Sequence, residues 1–137
     1  MIEFTVPGVP VGKGRPRIGR VAGHARMFTP EKTANYENLV RHCAAVAMAG
    51  RSPIVGACIA VLDVIVPVPQ SWSKKKQAQA LAGEVRPTTK PDIDNVLKAL
   101  ADAMNQVVWR DDSQLVQVVM SKAYGAAPGV RVQVREA

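Results

Sequence analysis

The feature that most constrains this chain is an apolar run over residues 54–68, which is rich in β-branched side chains. Asp63 and Pro67 interrupt the run, so the chain has no uncharged apolar stretch of about 18 residues and no membrane span is expected. Residues 54–66 instead predict a central β-strand, because β-branched side chains favour strands and the prolines that follow end it. The remaining elements of the chain must cover this strand.

Periodicity and boundary signals predict those remaining elements. Thr29-Pro30 is typical of a helix start and Gly50 of a helix end. Ser71 or Ser73 is expected to begin a second, short helix. The apolar share of 47% is enough for one core in a chain of 137 residues. Strands are predicted at 2–6, 26–28, 54–66, 115–124 and 130–134, with 26–28 returning beside the first strand, and helices at 29–49, 71–81 and 94–104.

This order predicts an α+β fold, in which a mixed β-sheet packs with about three helices in a single compact domain over residues 1–137. The first helix is expected to bury one face, and the third to turn one row of apolar side chains inward. The predicted buried face of the first helix comprises Tyr36, Leu39, Val40, Cys43, Val46 and Ala47, and the inward row of the third comprises Val96, Leu97, Leu100 and Met104.

The chain carries a net charge of +7, which favours a polyanionic partner. A glycine-rich stretch near the N-terminus gathers many of the cations, and residues 74–76 form a second cluster. Charged loops are often only solvated, and residues 74–76 are interpreted as a solvated helix face. The functional interpretation is that the first cluster grips phosphates. The predicted DNA-binding residues are Lys13, Arg15, Arg17, Arg20 and Lys90.

The acids, in contrast, concentrate late in the chain, and two of them stand in the segment 90–95, Lys-Pro-Asp-Ile-Asp-Asn. If this segment is extended, Asp92 and Asp94 project from the same side and Ile93 points into the core. Asp94 or Asn95 then stands at a helix N-terminus, with Lys98 further along the same face. An Asp in such a place is usually just a cap, and Asp-x-Asp alone is weak evidence of a site.

A second acidic pair, Asp111-Asp112, follows the third helix and is expected to fold back beside Asp92. Three carboxylates converging there would hold Mg²⁺ or Mn²⁺ through hard oxygen ligands, although the pair is also compatible with an ordinary turn. Cations nearby strengthen the metal interpretation, because a metal nuclease must also hold the phosphate strand.

Other kinds of site are not supported. The segment 8–13 has the wrong glycine spacing for a phosphate loop, and Asp92-Ile93-Asp94 lacks the further ligands of an EF-hand. The two histidines stand in a predicted loop and a helix, which disfavours a Ser-His-Asp triad. Cys43 and Cys58 make neither a disulfide framework nor zinc-ligand spacing and are interpreted as core residues. The first residues lack the features of a secretion signal, so a cytoplasmic location is expected.

Taken together, these motifs closely resemble the RusA-type Holliday junction resolvases, in the version common in prophages. The resemblance covers nearly the whole chain. It is carried most specifically by residues 90–98 (KPDIDNVLK), 102–105 (DAMN) and 108–116 (VWRDDSQLV), and further by 12–17 (GKGRPR), 29–33 (TPEKT), 71–76 (SWSKKK) and 122–125 (KAYG).

The resemblance implies a homodimeric, Mg²⁺-dependent endonuclease that makes paired incisions across four-way DNA junctions, with Mn²⁺ as a possible substitute ion. It implies that Asp92, Asp94 and Asp112 are catalytic metal ligands and that Lys98 is the catalytic lysine, whereas Asp111 matches an acid of less certain role. Two other classes stay open: a junction-binding protein without catalysis, and a metal-dependent phosphatase or nucleotide hydrolase that acts on small molecules.

Overall fold

The computed structural model describes residues 1–14, 17–21, 24–28 and 30–137, with the backbone alone described for 17–21 and 24–28. Within these ranges the α+β prediction is confirmed, with three helices and a four-stranded mixed sheet in one compact domain. The elements are β1 (Ile2–Pro7), β2 (Arg17–Val21), β3 (His24–Phe28), α1 (Glu31–Met48), β4 (Cys58–Val66), α2 (Lys74–Leu81), α3 (Ile93–Met104), a short 3-10 helix (Asp112–Gln114), β5 (Leu115–Tyr124) and β6 (Gly129–Glu136).

The main sheet has the strand order β1-β6-β4-β5. Strand β6 is antiparallel to both of its neighbours, whereas β4 and β5 are parallel. Strand β4 is central, as the β-branched run predicts, but it begins at Cys58. Ile54 contributes only an isolated bridge to Trp109. The parallel pairing sets β5 beside β4 along its whole length and places the residues before both strands at the same end of the sheet.

The prediction that residues 26–28 return beside the first strand is wrong. These residues belong to β3, which pairs with β2 in a separate two-stranded sheet, while β1 pairs with β6. Two strands separated by a very short connection close a hairpin at little entropic cost. Strand β6 offers β1 a longer apolar partner, with Val130, Val132 and Val134 all buried.

Helices α1 and α3 pack together over one face of the sheet, against the alternating buried residues of β4. Helix α3 buries Val96, Leu100 and Met104, as its periodicity predicts, and Leu97 is half-buried. The predicted face of α1 is partly wrong, because Leu39 and Val46 are exposed. The side that meets α3 and β1 instead carries Thr33, Tyr36, Val40, Ala44 and Met48.

Two further expectations concern the cysteines and the membrane. Cys58 is fully buried and Cys43 is half-buried, in agreement with the prediction that both are core residues, and burial raises the pKa of both thiols. Across the described ranges, the helices are too short or too polar to cross a bilayer.

Candidate active site

A groove of about 690 Å³ lies between the N-terminal loop, the start of α1 and the start of α3. Its lining combines an acid, Asp92, with the lysines at positions 13, 32 and 90. Gly14 and Pro30, the residues on either side of the arginine-rich segment 15–29, also line it. Lys32 was not predicted to lie here, because nothing in the pattern of a helix start separates a groove-lining lysine from a solvated one.

Asp92 and Asp94 stand at the N-terminus of α3, beside this groove. Asp92 is the N-cap residue, with an extended backbone at φ −73 and ψ 142, but its side chain makes no capping hydrogen bond. Only its backbone oxygen engages the helix, accepting from the Val96 amide at 3.1 Å. Asp94 lies in the first turn, and both carboxylates are exposed. The ordinary capping role therefore does not occupy Asp92, and its carboxylate stays available to a ligand.

Ile93, between the two aspartates, does not point into the core as predicted. Its side chain is 37% exposed, and α3 already begins at this residue, so the segment 92–94 is not the extended strand on which the prediction depended. An exposed isoleucine therefore lies next to the acidic pair.

Lys122 of β5 forms hydrogen bonds to the loop that carries Asp92. The Lys122 ammonium donates hydrogen bonds to the backbone oxygens of Thr89, at 2.8 Å, and Pro91, at 3.0 Å. The Lys90–Pro91 peptide bond inside this span is cis. This role of Lys122 was not predicted, although the position of the residue in the strand indicated that it needs polar partners. It shares the inward side of β5 with Met120, and a charged residue at an inward position of a strand needs polar partners.

The second acidic pair lies in a turn that is built around Gln114. The Gln114 side-chain oxygen accepts from the amides of Arg110 and Asp111, and its nitrogen donates to the carbonyls of Ile54 and Gly56, both at 2.8 Å. This one side chain joins the acidic turn to the segment that precedes β4.

The two members of this pair differ in what holds them. The Asp111 carboxylate caps the 3-10 helix by accepting from the Ser113 amide at 3.1 Å, and hydrogen bonds from Ser113 lower the pKa of Asp111. The Asp112 carboxylate makes no hydrogen bond to the described residues and is half-buried. Within the pair, therefore, the turn engages the Asp111 side chain, whereas the Asp112 side chain has no hydrogen-bond partner among the described residues.

The expected convergence of Asp112 with Asp92 does not occur within one chain. Helix α3 has 12 residues, so its ends lie roughly 18 Å apart at a rise of 1.5 Å per residue. Strand β5 gives a second measure, because Lys122 contacts the Asp92 loop while the strand begins at Leu115, roughly 23 Å away along an extended backbone. In the part of the chain that the structure describes, no group of three His, Cys, Asp or Glu side chains is arranged to hold a metal ion.

The cations predicted to bind DNA divide into three sets, of which the first is Lys90, exposed beside the groove. Lys98, the predicted catalytic lysine, is exposed on α3 and forms no ion pair with the described residues. Arg15 and the side chains of Arg17 and Arg20 lie outside the described residues.

The third set is Lys13 alone, which is held by two acids. Its ammonium binds the carboxylates of Glu37, on α1, and Asp102, on α3, the latter at 3.1 Å. Burial acts to lower the pKa of Lys13, but the hydrogen bonds and charges of the two acids outweigh it and raise the pKa above its ordinary value. Lys13 is therefore a charged group that is already neutralised inside the protein.

An acidic pair beside a groove lined by lysines is typical of proteins that act on phosphodiesters, since the acids suit a hard cation and the lysines suit phosphate. The model of the family described as "Endodeoxyribonuclease RusA" matches residues 7–135 of the chain. The chain therefore belongs to the RusA endodeoxyribonuclease family, which is a family of nucleases.

A similar protein matches the chain over nearly its whole length. The chain is 42% identical over 139 residues to the uncharacterized protein YqaN of Bacillus subtilis (strain 168), an alignment that covers 98% of this chain and 96% of that protein. The similarity thus extends across both acidic pairs and the N-terminal loop.

Proposed function

We propose that this protein is a Mg²⁺-dependent endodeoxyribonuclease that resolves Holliday junctions and related branched DNA by paired, symmetric incisions. It would act in DNA recombination and repair in the cytoplasm. The observation that carries the proposal is the exposed pair Asp92 and Asp94, uncapped at Asp92 and set beside a lysine-lined groove, in a chain that belongs to a family of nucleases.

Asp92 and Asp94 fit a divalent cation of this kind. Mg²⁺ takes oxygen ligands and is commonly held by one or two carboxylates, with water and substrate phosphate completing its shell. Asp92 and Asp94 supply two exposed carboxylates, two residues apart at the N-terminus of α3, and the Asp92 side chain makes no capping hydrogen bond to the helix. A bound Mg²⁺ would supply Lewis-acid stabilisation of the phosphate and a water of lowered pKa; Mn²⁺ is expected to substitute, because it prefers similar ligands.

The cations around the groove are proposed to hold the DNA strand. Lys32 and Lys90 line the groove with Asp92, so a phosphate that approaches the acids also meets two ammonium groups. Arg15, Arg17 and Arg20 belong to the segment between Gly14 and Pro30, which both line the groove, and we propose that these arginines bind the flanking DNA backbone. Lys98, exposed on α3, is proposed to neutralise charge that develops on the phosphate.

A homodimer explains how Asp112 can take part although it lies at the far end of α3. In a symmetric dimer, a second copy can bring its own Asp112 to the acids of the first, and the two-fold axis then creates two equivalent sites. Ile93, exposed beside Asp92 and Asp94, is an apolar side chain that such a partner would cover. Two equivalent sites also suit a junction that must be cut symmetrically.

The central test is cleavage of a panel of labelled DNAs: a four-way junction, a flap, a fork and a linear duplex, each in Mg²⁺ and in EDTA. We expect paired incisions in the four-way junction in Mg²⁺ and none in EDTA. Binding without cleavage in either condition would instead identify a junction-binding protein, and turnover of free nucleotides without DNA cleavage would identify a small-molecule hydrolase.

Mixed dimers test the shared site. Asp94→Asn and Asp112→Asn proteins are each expected to be inactive, but a mixed dimer has one complete site if Asp112 comes from the partner subunit. Random exchange of subunits makes about half of the dimers mixed, so nicking of one strand should return after co-refolding. If each site lies within one subunit, no dimer in the mixture has a complete site and activity stays absent.

A further inference from the structure

The ammonium of Lys13 already has two carboxylate partners within the protein. Glu37 and Asp102 place two negative charges on one positive charge, and the side chains of Lys13 and Glu37 are only 23% and 15% exposed. A phosphate approaching this position meets a net negative cluster instead of a free cation. The cluster joins the N-terminal loop to α1 through Glu37 and to α3 through Asp102.

The backbone around Lys13 is docked onto the same two helices. The Lys13 amide donates to the backbone oxygen of Asn95 at 2.8 Å, and the Gly14 amide donates to the Thr33 hydroxyl at 3.0 Å. A side chain at Gly14 would meet Pro30 and Thr33 at 2.9 Å, and one at Gly12 would meet Asn95 at 3.0 Å. The close fit of both glycines shows that the loop lies directly on the helices at the point where residues 15–29 begin.

From these contacts we infer that Lys13 is a positioning residue, which fixes the N-terminal loop on α1 and α3 at the point where the arginine-rich residues 15–29 begin, and that it does not contact DNA phosphate. The inference rests on the proposed function for the role of the arginines. The physical reason is entropic. A segment attached at a fixed point beside Asp92 places its cations near the scissile phosphate with less loss of freedom on binding than a loosely attached one.

A positioning role and a phosphate-binding role for Lys13 predict opposite results when Glu37 and Asp102 are neutralised. The variant Glu37→Gln/Asp102→Asn releases the ammonium. If Lys13 only positions the loop, kcat for junction cleavage should fall about tenfold, and the salt dependence of binding should not steepen. If Lys13 binds phosphate, the released ammonium should tighten binding and steepen the slope of log K against log salt by about 0.9.

The experiment compares that variant with Lys13→Met, Lys13→Arg and the combination of all three neutral substitutions. We expect Lys13→Met and the triple variant to be equally impaired in kcat, because each breaks the same attachment, and Lys13→Arg to recover part of the rate. Additive losses, or tighter binding by Glu37→Gln/Asp102→Asn, would overturn the inference. Urea unfolding checks that each variant folds.

Amide hydrogen exchange separates this inference from the proposed function. The amides of Lys13 and Gly14 should be protected in the unsubstituted protein and should exchange faster in Lys13→Met, while the buried Val40 amide of α1 keeps its protection. If the protein cuts no DNA, the proposed function fails, but the exchange result still decides whether Lys13 anchors the loop. Unchanged protection in Lys13→Met would refute the anchoring itself.

Discussion

The two ends of α3 each present a pair of aspartates, and the pairs are held in different ways. At the N-terminus, the Asp92 side chain leaves its capping position unused, and the supporting contacts reach only the backbone of its loop, through Lys122. At the other end, Asp111 is used as a cap and Gln114 fixes the turn through four hydrogen bonds. Among the described residues, therefore, one end presents two carboxylates without a hydrogen-bond partner and the other end presents one.

This difference separates acids that build structure from acids that are available for chemistry. A carboxylate that accepts backbone hydrogen bonds has lost part of its capacity to bind a cation, whereas one held only through its backbone keeps its lone pairs free. By this criterion Asp92, Asp94 and Asp112 differ from Asp111. The proposal that the first three bind the metal ion rests on this difference.

The largest loss of cleavage activity is expected when Asp94 or Asp112, one proposed ligand from each end, is neutralised. Asp94→Asn and Asp112→Asn should each lower kcat for junction cleavage by at least about a hundredfold, because each removes a charge proposed to act in the transition state. Both variants should still bind the junction in a gel-shift assay. Single-turnover cleavage of a labelled four-way junction in Mg²⁺ measures the loss.

The matched controls are Asp111→Asn, next to Asp112, and Asp63→Asn, on β4 and hydrogen-bonded to Ser121. Each makes the same change of charge away from the proposed ligands, so each should keep cleavage near that of the unsubstituted protein. Full activity of Asp94→Asn, or an Asp111→Asn protein as inactive as Asp112→Asn, would break the comparison between the two ends.

A smaller effect is expected from Lys98, on the exposed side of α3 between the two pairs. Lys98→Met should lower kcat by about tenfold to a hundredfold and leave KM nearly unchanged, because a group that neutralises developing charge acts mainly in the transition state. Lys75→Met, which removes an exposed lysine from α2, is the control. A rise in KM at constant kcat would show that Lys98 binds substrate instead.

Much of this arrangement could be predicted from local sequence. The three helices, the central strand and the two closing strands follow from β-branched runs, prolines and apolar periodicity, which are encoded within a few residues, whereas β2 was not predicted. The position of Asp112 was not predictable in this way. Its distance from Asp92 depends on the length of α3 and on the parallel pairing of β5 with β4, and a hydrogen bond as distant in sequence as that of Gln114 to Ile54 leaves no local signal.

Lys13 and Ile93 are two further residues whose positions local sequence does not predict correctly. A lysine in a basic, glycine-rich loop predicts a phosphate contact, but its partners Glu37 and Asp102 lie on helices far along the chain. Ile93 was expected to point inward because residues 92–94 were interpreted as extended, and the helix begins one residue earlier than expected. In both cases tertiary contacts or a helix boundary decided where the side chain lies.

Gln114 should matter less than the acids, because it acts on Asp112 only through the turn. Gln114→Glu keeps an acceptor for the amides of Arg110 and Asp111 but loses the donors to Ile54 and Gly56. We expect a loss of about 1–3 kcal/mol in the free energy of unfolding, since carbonyl partners are left unsatisfied, and a fall of about tenfold in kcat. Urea unfolding and single-turnover cleavage measure the two effects. A variant as stable as the unsubstituted protein would show that these bonds do not hold the turn.

The smallest effect is expected from the pH dependence of Asp111. Hydrogen bonds from Ser113 lower the pKa of this carboxyl below its ordinary value, so the ionised form is favoured in the folded state. The resulting stabilisation is present above the pKa of the unfolded chain and is lost as the pH falls through the lower pKa of the folded state. The difference in urea midpoint between the unsubstituted protein and Asp111→Asn should therefore shrink from about pH 5 to about pH 3. A difference that stays constant over this range would show that the charge of Asp111 does not support the turn, and the two ends of α3 would then be less distinct than their hydrogen bonds indicate.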